Sequence, residues 1–588
     1  MGNNTRSHKA EKVIERMGTK LNRQMVTSLA GCVHCGMCVN SCHYVLANPG
    51  DPTYAPVYKA DQIRKIFKRH YDWTGSVFPW WVKSKSLFTD EELEELKDIV
   101  FGKCTNCRRC SINCPMGVDY ATFNRMARGL LVSVGVMPEG VAVVSKDQWE
   151  IGNQMGVLKE DYLETLEWME EELQSEFNDP EIKIPIDKKN CDIVYSINPR
   201  EVKYDPRTIA DAAKIFHFAG EDWTMPSEGW DMTNFGLFSG DDELGGSVAR
   251  RLFEKTEELG GKKLVISECG HGYRSTRCEG QNWGGVEIPF EMESSVNTML
   301  RYIKEDRIKV DKRRNTELVT FHDSCNNARS CGLYEEPREL LNLVCSNFQE
   351  MYPNRAENYC CTGGGGAMSM SEYTNRRLKS AKIKAEQLKA TGASIVITSC
   401  HNCVDGLTDL IRHYKLDMQV TQLVNLVSNA LVVEEKVKVP GIEIPVTVED
   451  EEFKGRKILV IDDEPDFITY ISTLLEDNGA TVIKAYDGEE AIELARKEKP
   501  DLMTLDISMP GKSGVEVFDY FRTDRDLKSI PICIITGKPE LRKLIYERPE
   551  NPPEGYIDKP ITERELILNI RKIFEVGYHD EQSSEKRL

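Results

Sequence analysis

Four cysteines at the spacing C-x2-C-x2-C-x3-C occur twice. Cys32, Cys35, Cys38 and Cys42 lie in CVHCGMCVNSCH, and Cys104, Cys107, Cys110 and Cys114 in CTNCRRCSINCP. No other feature constrains the fold so strongly. Three thiolates two residues apart wrap one corner of a 4Fe–4S cube. In two-cluster ferredoxins the fourth cysteine, followed by proline, closes the other cube. That rule places Cys32, Cys35, Cys38 and Cys114 on one cube, and Cys104, Cys107, Cys110 and Cys42 on the other. Pro115 follows the second run, whereas His43 replaces the first proline, a departure that touches only the local turn. Two zinc knuckles are the competing reading, but structural zinc takes four ligands in two pairs. Between the runs, TDEELEELKDIVFG reads as a helix capped by Thr89 or Asp90. FPWW (78–81) reads as a buried aromatic cluster in preference to a docking patch.

The chain has 588 residues, 19 of them cysteine, with 40% hydrophobic content and a net charge of −19. Disulfide frameworks belong to small exported domains, and the clumped cysteines of this large chain point to metal. The acidic balance argues against a nucleic-acid partner. No apolar run approaches the ~18 residues of a membrane helix, and no signal peptide precedes the first run. The expectation is a soluble cytoplasmic protein able to dock on a membrane partner.

A second cysteine system lies further along the chain. NYCCTGGGGAMS sets Cys360 beside Cys361 before four glycines. A phosphate loop lacks its Gly-Lys-Ser/Thr, and a vicinal disulfide is strained across neighbouring Cα atoms. Metal is the remaining reading. The apolar strand in TELVTFHDSC leads to Cys325, and that in ASIVITSCHNC leads to Cys400 and Cys403. Strand ends of α/β folds collect ligands, so five thiols are expected to converge. An earlier stretch looks like a degenerate copy. KKLVISECGHG aligns Cys269 with Cys400 and Gly272 with Cys403, GWDMTNFG stands where the double cysteine would be, and CDIVYSINP holds Cys191 at the wrong end of its strand. Two related α/β units with one surviving site are expected. His322, His401 and His271, beside the strand ends, are placed to give a proton to a leaving thiolate or to donate structural hydrogen bonds. Cys278, Cys331, Cys345 and Cys533 fit no ligand pattern and read as buried structural thiols.

The pattern C-x(31–39)-CC-x(35–39)-C-x2-C resembles the CCG domain of heterodisulfide reductase catalytic subunits, though Thr362 stands where the motif has glycine. The first quarter resembles the helical ferredoxin domains that feed electrons to larger oxidoreductases. Two ferredoxin runs before two CCG units are similar to that family's D subunit, and the degenerate first unit is closer to the K subunit of the Dsr membrane complex. The Hmc and Tmc complexes carry related subunits. The resemblance implies that Cys325, Cys360, Cys361, Cys400 and Cys403 hold a noncubane 4Fe–4S cluster at which a disulfide is cleaved. The glycines would then leave room for a bulky sulfur substrate.

A proline-bearing, charged stretch, VPGIEIPVTVEDEEFKG, reads as a linker. Beyond it RKILVIDDEPD ends a strand at Asp462, Asp463 and Glu464, PDLMTLDISMPGKSG reaches Asp506, IPICIITG reaches Thr536, and GYIDKP holds Tyr556 and Lys559. Carboxylates gathered at strand ends suit Mg²⁺, with one carboxylate left as a nucleophile. These marks resemble a response-regulator receiver. The resemblance makes Asp506 the phosphoacceptor, gives Mg²⁺ to Asp462, Asp463, Asp506 and Ser508, and makes Thr536, Tyr556 and Lys559 the switch. A receiver fold that is never phosphorylated is the alternative.

The expected organisation is multidomain: a helical ferredoxin domain with two 4Fe–4S clusters (1–150), a helical linker (151–185), a degenerate CCG-like α/β unit (186–320), an intact CCG unit (321–435), a linker (436–454), a doubly wound, flavodoxin-like receiver (455–577) and a disordered tail (578–588). The expected function is a disulfide- or trisulfide-reducing iron–sulfur oxidoreductase of sulfite or sulfate respiration. It would be fed from quinol by a membrane cytochrome b partner, act on a small DsrC-like sulfur carrier, and answer to a histidine kinase. Two alternatives stand beside it: a relay between cytochrome c and menaquinone without disulfide chemistry, and a redox-coupled signalling protein.

Overall fold

The computed structural model describes residues 6–433 and, further on, 453–507, 509, 512–536, 553–559, 561, 566–567, 569–571 and 573–574. Most of the expected linker 436–454, and all of the tail 578–588, lie outside them. The chain divides into two compact units, Met1–Lys436 and Val437–Leu588.

The first unit begins with helices. His8–Lys20, Arg23–Gly31, Pro56–Tyr71, Asp90–Lys97 and Tyr120–Val132 surround Val13, Met17, Leu29, Ile63, Leu93, Phe123 and Leu130. Thr89 caps Asp90–Lys97 in a capping box with Glu92, each side chain meeting the other's backbone. This core also takes in Phe235, Phe238, Leu244 and Met370 from later in the chain, so the helical part is fused to the α/β part of the unit.

The α/β part is built on two four-stranded parallel sheets. The first comprises β1 (Ile193–Ser196), β2 (Trp223–Thr224), β3 (Lys263–Ile266) and β4 (Glu291–Ser294). The second comprises β5 (Leu318–His322), β6 (Asn347–Phe348), β7 (Ile395–Thr398) and β8 (Gln419–Gln422). Their orders match, β2-β1-β3-β4 and β6-β5-β7-β8. The inner strands read as apolar runs, Ile-Val-Tyr-Ser and Ile-Val-Ile-Thr, because helices cover both faces of a parallel sheet. The halves meet at the C-terminal ends of β3 and β7: His401 N donates to Glu268 O (3.1 Å), and Val424 N to the Glu268 carboxylate (3.0 Å).

Residues 151–185, expected as a linker, are part of this core. Helix Lys159–Phe177 buries Tyr162, Leu166, Met169 and Leu173, and Tyr162 stacks on Trp230 with ring centroids 4.3 Å apart. These residues form one stripe at helical spacing under an acidic outer face, and the stripe decides its place.

The second unit is one parallel sheet of β9 (Lys457–Ile461), β10 (Thr481–Ala485), β11 (Leu502–Leu505), β12 (Ile532–Thr536) and β13 (Gly555–Asp558), ordered β10-β9-β11-β12-β13. Separate apolar clusters cover its two faces, as in flavodoxin-like doubly wound folds.

Candidate metal centres

The two cysteine runs adopt the same turn. His34 and Asn106 both sit at positive φ (55° and 54°), as do Gly36 and Arg108 (81° and 64°). Each positive-φ pair precedes a short helix, Met37–Ser41 or Arg109–Ile112, that carries the third cysteine. Cys42, Cys104, Cys107 and Cys110 line one cavity, with Tyr44, Lys59 and Thr105. Cys32, Cys35, Cys38 and Cys114 line another, with Val57 and Tyr120. The fourth cysteines are therefore exchanged between the runs. Burial pushes the Cys38, Cys42 and Cys110 thiols up. Four sulfurs without a carboxylate, in a place that disfavours bare thiolate charge, form a donor set suited to a soft metal cluster. His43, the substitute for proline, faces Cys107.

The later cysteines gather at the ends of β5 and β7. Cys325 opens the turn Cys325–Ser330 after β5, Cys400 caps helix His401–Tyr414 after β7, and Cys403 lies in its first turn. Cys361 Sγ is 3.2 Å from Cys403 Sγ, and Cys360 is in hydrogen-bonding reach of Cys107, Cys325 and Cys361. Cys400 reaches both Cys403 and Cys269. Thiols are thus neighbours from the cubane-type quartet at Cys107, through the double cysteine, to the first half's Cys269. Thr105 Oγ1 lies 3.4 Å from Cys360 Sγ, and Arg329 ties the loops by donating to Cys107 O (2.6 Å) and Ala356 O (2.7 Å).

The loop after the double cysteine is strained and then tightly packed. Thr362 takes the motif's glycine position at φ 67°, a conformation costly for a β-branched residue. Its amide donates to Cys360 Sγ (3.2 Å), while its buried hydroxyl has no partner among the described residues. An orphaned hydroxyl beside four buried thiols fits an added sulfur-rich acceptor. The glycines differ from the expected open space. Gly365, at φ 69°, presses on Thr105 O, which a Cβ would approach to 2.4 Å; only Gly364 faces open space. Gly365 seats the loop against the helical part of the unit, and Gly363 seats it against Asn402 and Gly406.

His322 is the histidine of the site. Its ring nitrogen lies within 4.8 Å of the Cys361 and Cys403 sulfurs. His322 Nδ1 pairs with Asn358 Nδ2 (3.1 Å), and Asn358 Oδ1 accepts from Lys384 Nζ (2.6 Å). Burial pulls the Lys384 ammonium down to about 7. His271 serves the first half instead, accepting from Asn234 N at 2.9 Å, and His401 lies 3.5 Å from Glu201. Burial lowers them to about 4 and about 3 respectively.

Three expectations are corrected. The Phe78–Trp81 cluster is exposed: Trp80 and Trp81 are each 76% accessible and neighbouring Trp73 is 73%. Its rings meet edge to face with each other and not with the core. Cys278 and Cys331 are not buried singletons: Cys278 is exposed, and its sulfur lies 3.6 Å from that of Cys331. Cys345 and Cys533 are buried, as is Cys191. Finally, Cys269, aligned with Cys400 in the degenerate unit and given no site there, is a neighbour of Cys400. The twin motif ECGHG was a signal for it, but the facing of the two halves was not visible in sequence.

In the second unit, carboxylate oxygens of Asp462, Asp463 and Asp506 lie within 4.8 Å of one another. Lys559 Nζ donates to Asp462 (2.6 Å) and Asp506 (2.9 Å). Burial raises the Asp462 carboxyl. Thr536 is buried at the end of β12 and its carbonyl accepts from Lys559 N (3.0 Å). Tyr556 lies in β13 opposite Ile534; its side chain and Ser508 lie outside the described residues.

Three family models match: the 4Fe-4S dicluster domain over residues 28–118, the Cysteine-rich domain over 319–407, and the Response regulator receiver domain over 458–571. They define an iron–sulfur oxidoreductase subunit joined to a receiver. The chain is 27% identical over 458 residues to the Hdr-like menaquinol oxidoreductase iron-sulfur subunit 2 of Archaeoglobus fulgidus, covering 70% of this chain and 81% of that one. It is 28% identical over 422 residues to the D subunit of the dihydromethanophenazine:CoB–CoM heterodisulfide reductase of Methanosarcina mazei, covering 71% and 97%. Its receiver is 32% identical over 117 residues to Protein PilH of Pseudomonas aeruginosa, 20% of this chain and 96% of that one. Over about 70% of its length the chain is similar to heterodisulfide-reductase-like iron–sulfur subunits, and it carries a C-terminal receiver domain.

Proposed function

We propose that this chain draws electrons from a quinone-linked membrane partner, with a cytochrome b, and delivers them at the Cys360–Cys361 site to a disulfide or trisulfide on a small sulfur-carrier protein, at the cytoplasmic face of the membrane, in sulfite or sulfate respiration. Among the described residues no helix is long and apolar enough to cross a membrane, so the quinone chemistry falls to the partner. The observation that carries the reading is the approach of the second cysteine run to the double cysteine, Thr105 Oγ1 lying 3.4 Å from Cys360 Sγ with Cys107 beside it, which sets a cubane-type quartet next to the five-thiol site. Cys32, Cys35, Cys38 and Cys114 would hold one 4Fe–4S cube, Cys104, Cys107, Cys110 and Cys42 the other, and Cys325, Cys360, Cys361, Cys400 and Cys403 the noncubane cluster. When bound, the cubes supply single electrons and the five-thiolate cluster supplies a centre where a sulfur–sulfur bond takes two.

The chain's own groups do the rest. A groove of about 460 Å³ is lined by Thr105, Asn106, Arg108, Arg274 and Asn326, with Asp119 and Glu279 paired to its two guanidinium groups, and it gives a polar approach for a substrate segment. Lys384, Asn358 and His322 form a buried hydrogen-bonded path ending at Cys361. Burial lowers Lys384 to about 7, and through Asn358 it holds His322, whose ring stands beside the Cys361 sulfur as the nearest proton donor to a departing thiolate. The test is electron paramagnetic resonance of the oxidised, cluster-loaded protein with and without a thiol. A thiol-induced signal is expected, and it should vanish in Cys360→Ser and Cys361→Ser. No induced signal in the parent protein would return the chain to a pure relay.

In the receiver, Asp462, Asp463, Asp506 and the Ser508 carbonyl would hold Mg²⁺. Asp506 would accept a phosphoryl group from a histidine kinase, with Lys559, Thr536 and Tyr556 reading it out. Acetyl phosphate with Mg²⁺ is expected to label Asp506, and Asp506→Asn to remain unlabelled in intact-mass spectra.

A further inference from the structure

Cys278 and Cys331 come from two turns that face each other at the rim of the groove. Cys278 lies in the turn Ser275–Gly280 that follows helix Gly270–Arg274, and Cys331 closes the turn opened by Cys325. Their sulfurs are 3.6 Å apart, with Cys278 exposed and Cys331 half-buried behind it. A disulfide needs about 2.05 Å, a closure that side-chain rotation in two surface turns can supply. Arg274, Glu279 and Asn326, which adjoin these turns, also line the groove that ends at Thr105.

We propose that Cys278 and Cys331 form a thiol–disulfide exchange site, separate from the five-thiol centre, that takes disulfides of the class R–S–S–R′ entering the groove. Cys278 thiolate attacks one sulfur, the S–S bond breaks, and R′S⁻ departs. Cys331 then attacks the Cys278 sulfur, its proton leaves with RSH, and a Cys278–Cys331 disulfide remains. The substrate gains two electrons and the dithiol loses two. The asymmetry of the pair suits these roles. The hydrogen bond from Cys331, with Arg277 and Arg274 nearby, brings Cys278 down to about 6, while the same bond and burial push Cys331 up. An exposed thiolate attacks first, and the second thiol beside it resolves the adduct as its proton passes to the departing sulfur.

The test uses the full, cluster-loaded chain under anaerobic conditions with one equivalent of Ellman's reagent, followed by acid quench and peptide mass mapping. Both thionitrobenzoates should be released in the fast phase, leaving a Cys278–Cys331 disulfide. Cys331→Ser should halve the release and stall as a Cys278 adduct, and Cys278→Ser should lose the fast phase. A fast phase that survives Cys278→Ser, or a parent protein that keeps the Cys278 adduct while Cys331 stays alkylatable, overturns the proposal. Neither readout uses the signal of the five-thiol centre, so the two readings fail separately.

Discussion

The two α/β halves share a strand order and differ in what fills the turns after their strands. In the second half those turns hold Cys325, Cys360, Cys361, Cys400 and Cys403. In the first half they hold Asn198, Asp231, Thr233, Cys269 and Gly272. The first half's carboxylates there are held by several hydrogen bonds each. Asp231 accepts from Thr233 N (2.7 Å), Gln154 N (3.0 Å) and Gln148 Nε2 (3.1 Å), and Glu201 accepts from Asn198 N (2.9 Å) and Ser267 Oγ (2.5 Å). Buried thiols are weak donors and acceptors and cannot close such a network alone. The first half meets its strand-end polar groups by hydrogen bonding, while its twin gathers thiols there, a donor set suited to a metal cluster.

The sharpest way to break this comparison is to make the same substitution at the matched positions Cys400 and Cys269. Losing a neighbour of a metal ligand typically costs ~10–100-fold. Cys400→Ser should exceed that range in disulfide reduction and lose the thiol-induced resonance. Cys269→Ser should stay within it and keep its iron, measured by metal content. If both lost iron equally, the first half would be part of the centre.

A smaller effect separates the halves by pH. Burial raises Asp231 to about 7, so the folded protein holds that proton more tightly than the unfolded chain does. Its contribution to stability is therefore present at low pH and lost as pH rises from about 4 to about 7, by at most about 1.4 kcal/mol per pH unit. Melting temperatures of the full chain across that window should fall less steeply in Asp231→Asn. An identical slope would place the titration elsewhere. The smallest effect concerns Thr362. Its left-handed backbone costs an L-residue roughly 1–2 kcal/mol, so Thr362→Gly should raise the melting temperature slightly and leave the iron content unchanged.

What could be read in sequence was what local spacing or strand ends encode. The cysteine runs carry their ligand geometry in three-residue steps, and the receiver carries its acids at the tips of apolar strands. The CCG resemblance likewise came from intervals along the chain. What escaped depended on faces meeting in space. Tyr162, Leu166, Met169 and Leu173 do form a visible stripe, but the segment 151–185 reads in sequence only as a helical linker, because the surface that receives the stripe lies elsewhere in the chain. FPWW has the composition of a core cluster and lies on the surface, because nothing in its composition says which face the turn presents. Cys278 and Cys331 are 53 residues apart and belong to no motif, and only the folding of two turns onto one rim makes them a pair. The glycines after Cys361 were read as space for a ligand, whereas Gly365 is a seam between protein parts.

That seam has a keystone in Arg128. Fully buried, it donates to the carbonyls of Val100 (2.9 Å), Cys104 (2.6 Å), Phe238 (2.9 Å) and Gly365 (2.7 Å). One guanidinium therefore holds the loop of the nearer quartet, the first α/β half and the loop behind the double cysteine in a single frame. On the proposed electron route, that frame holds the loop of the nearer quartet against the double cysteine, with Thr105 Oγ1 kept 3.4 Å from Cys360 Sγ.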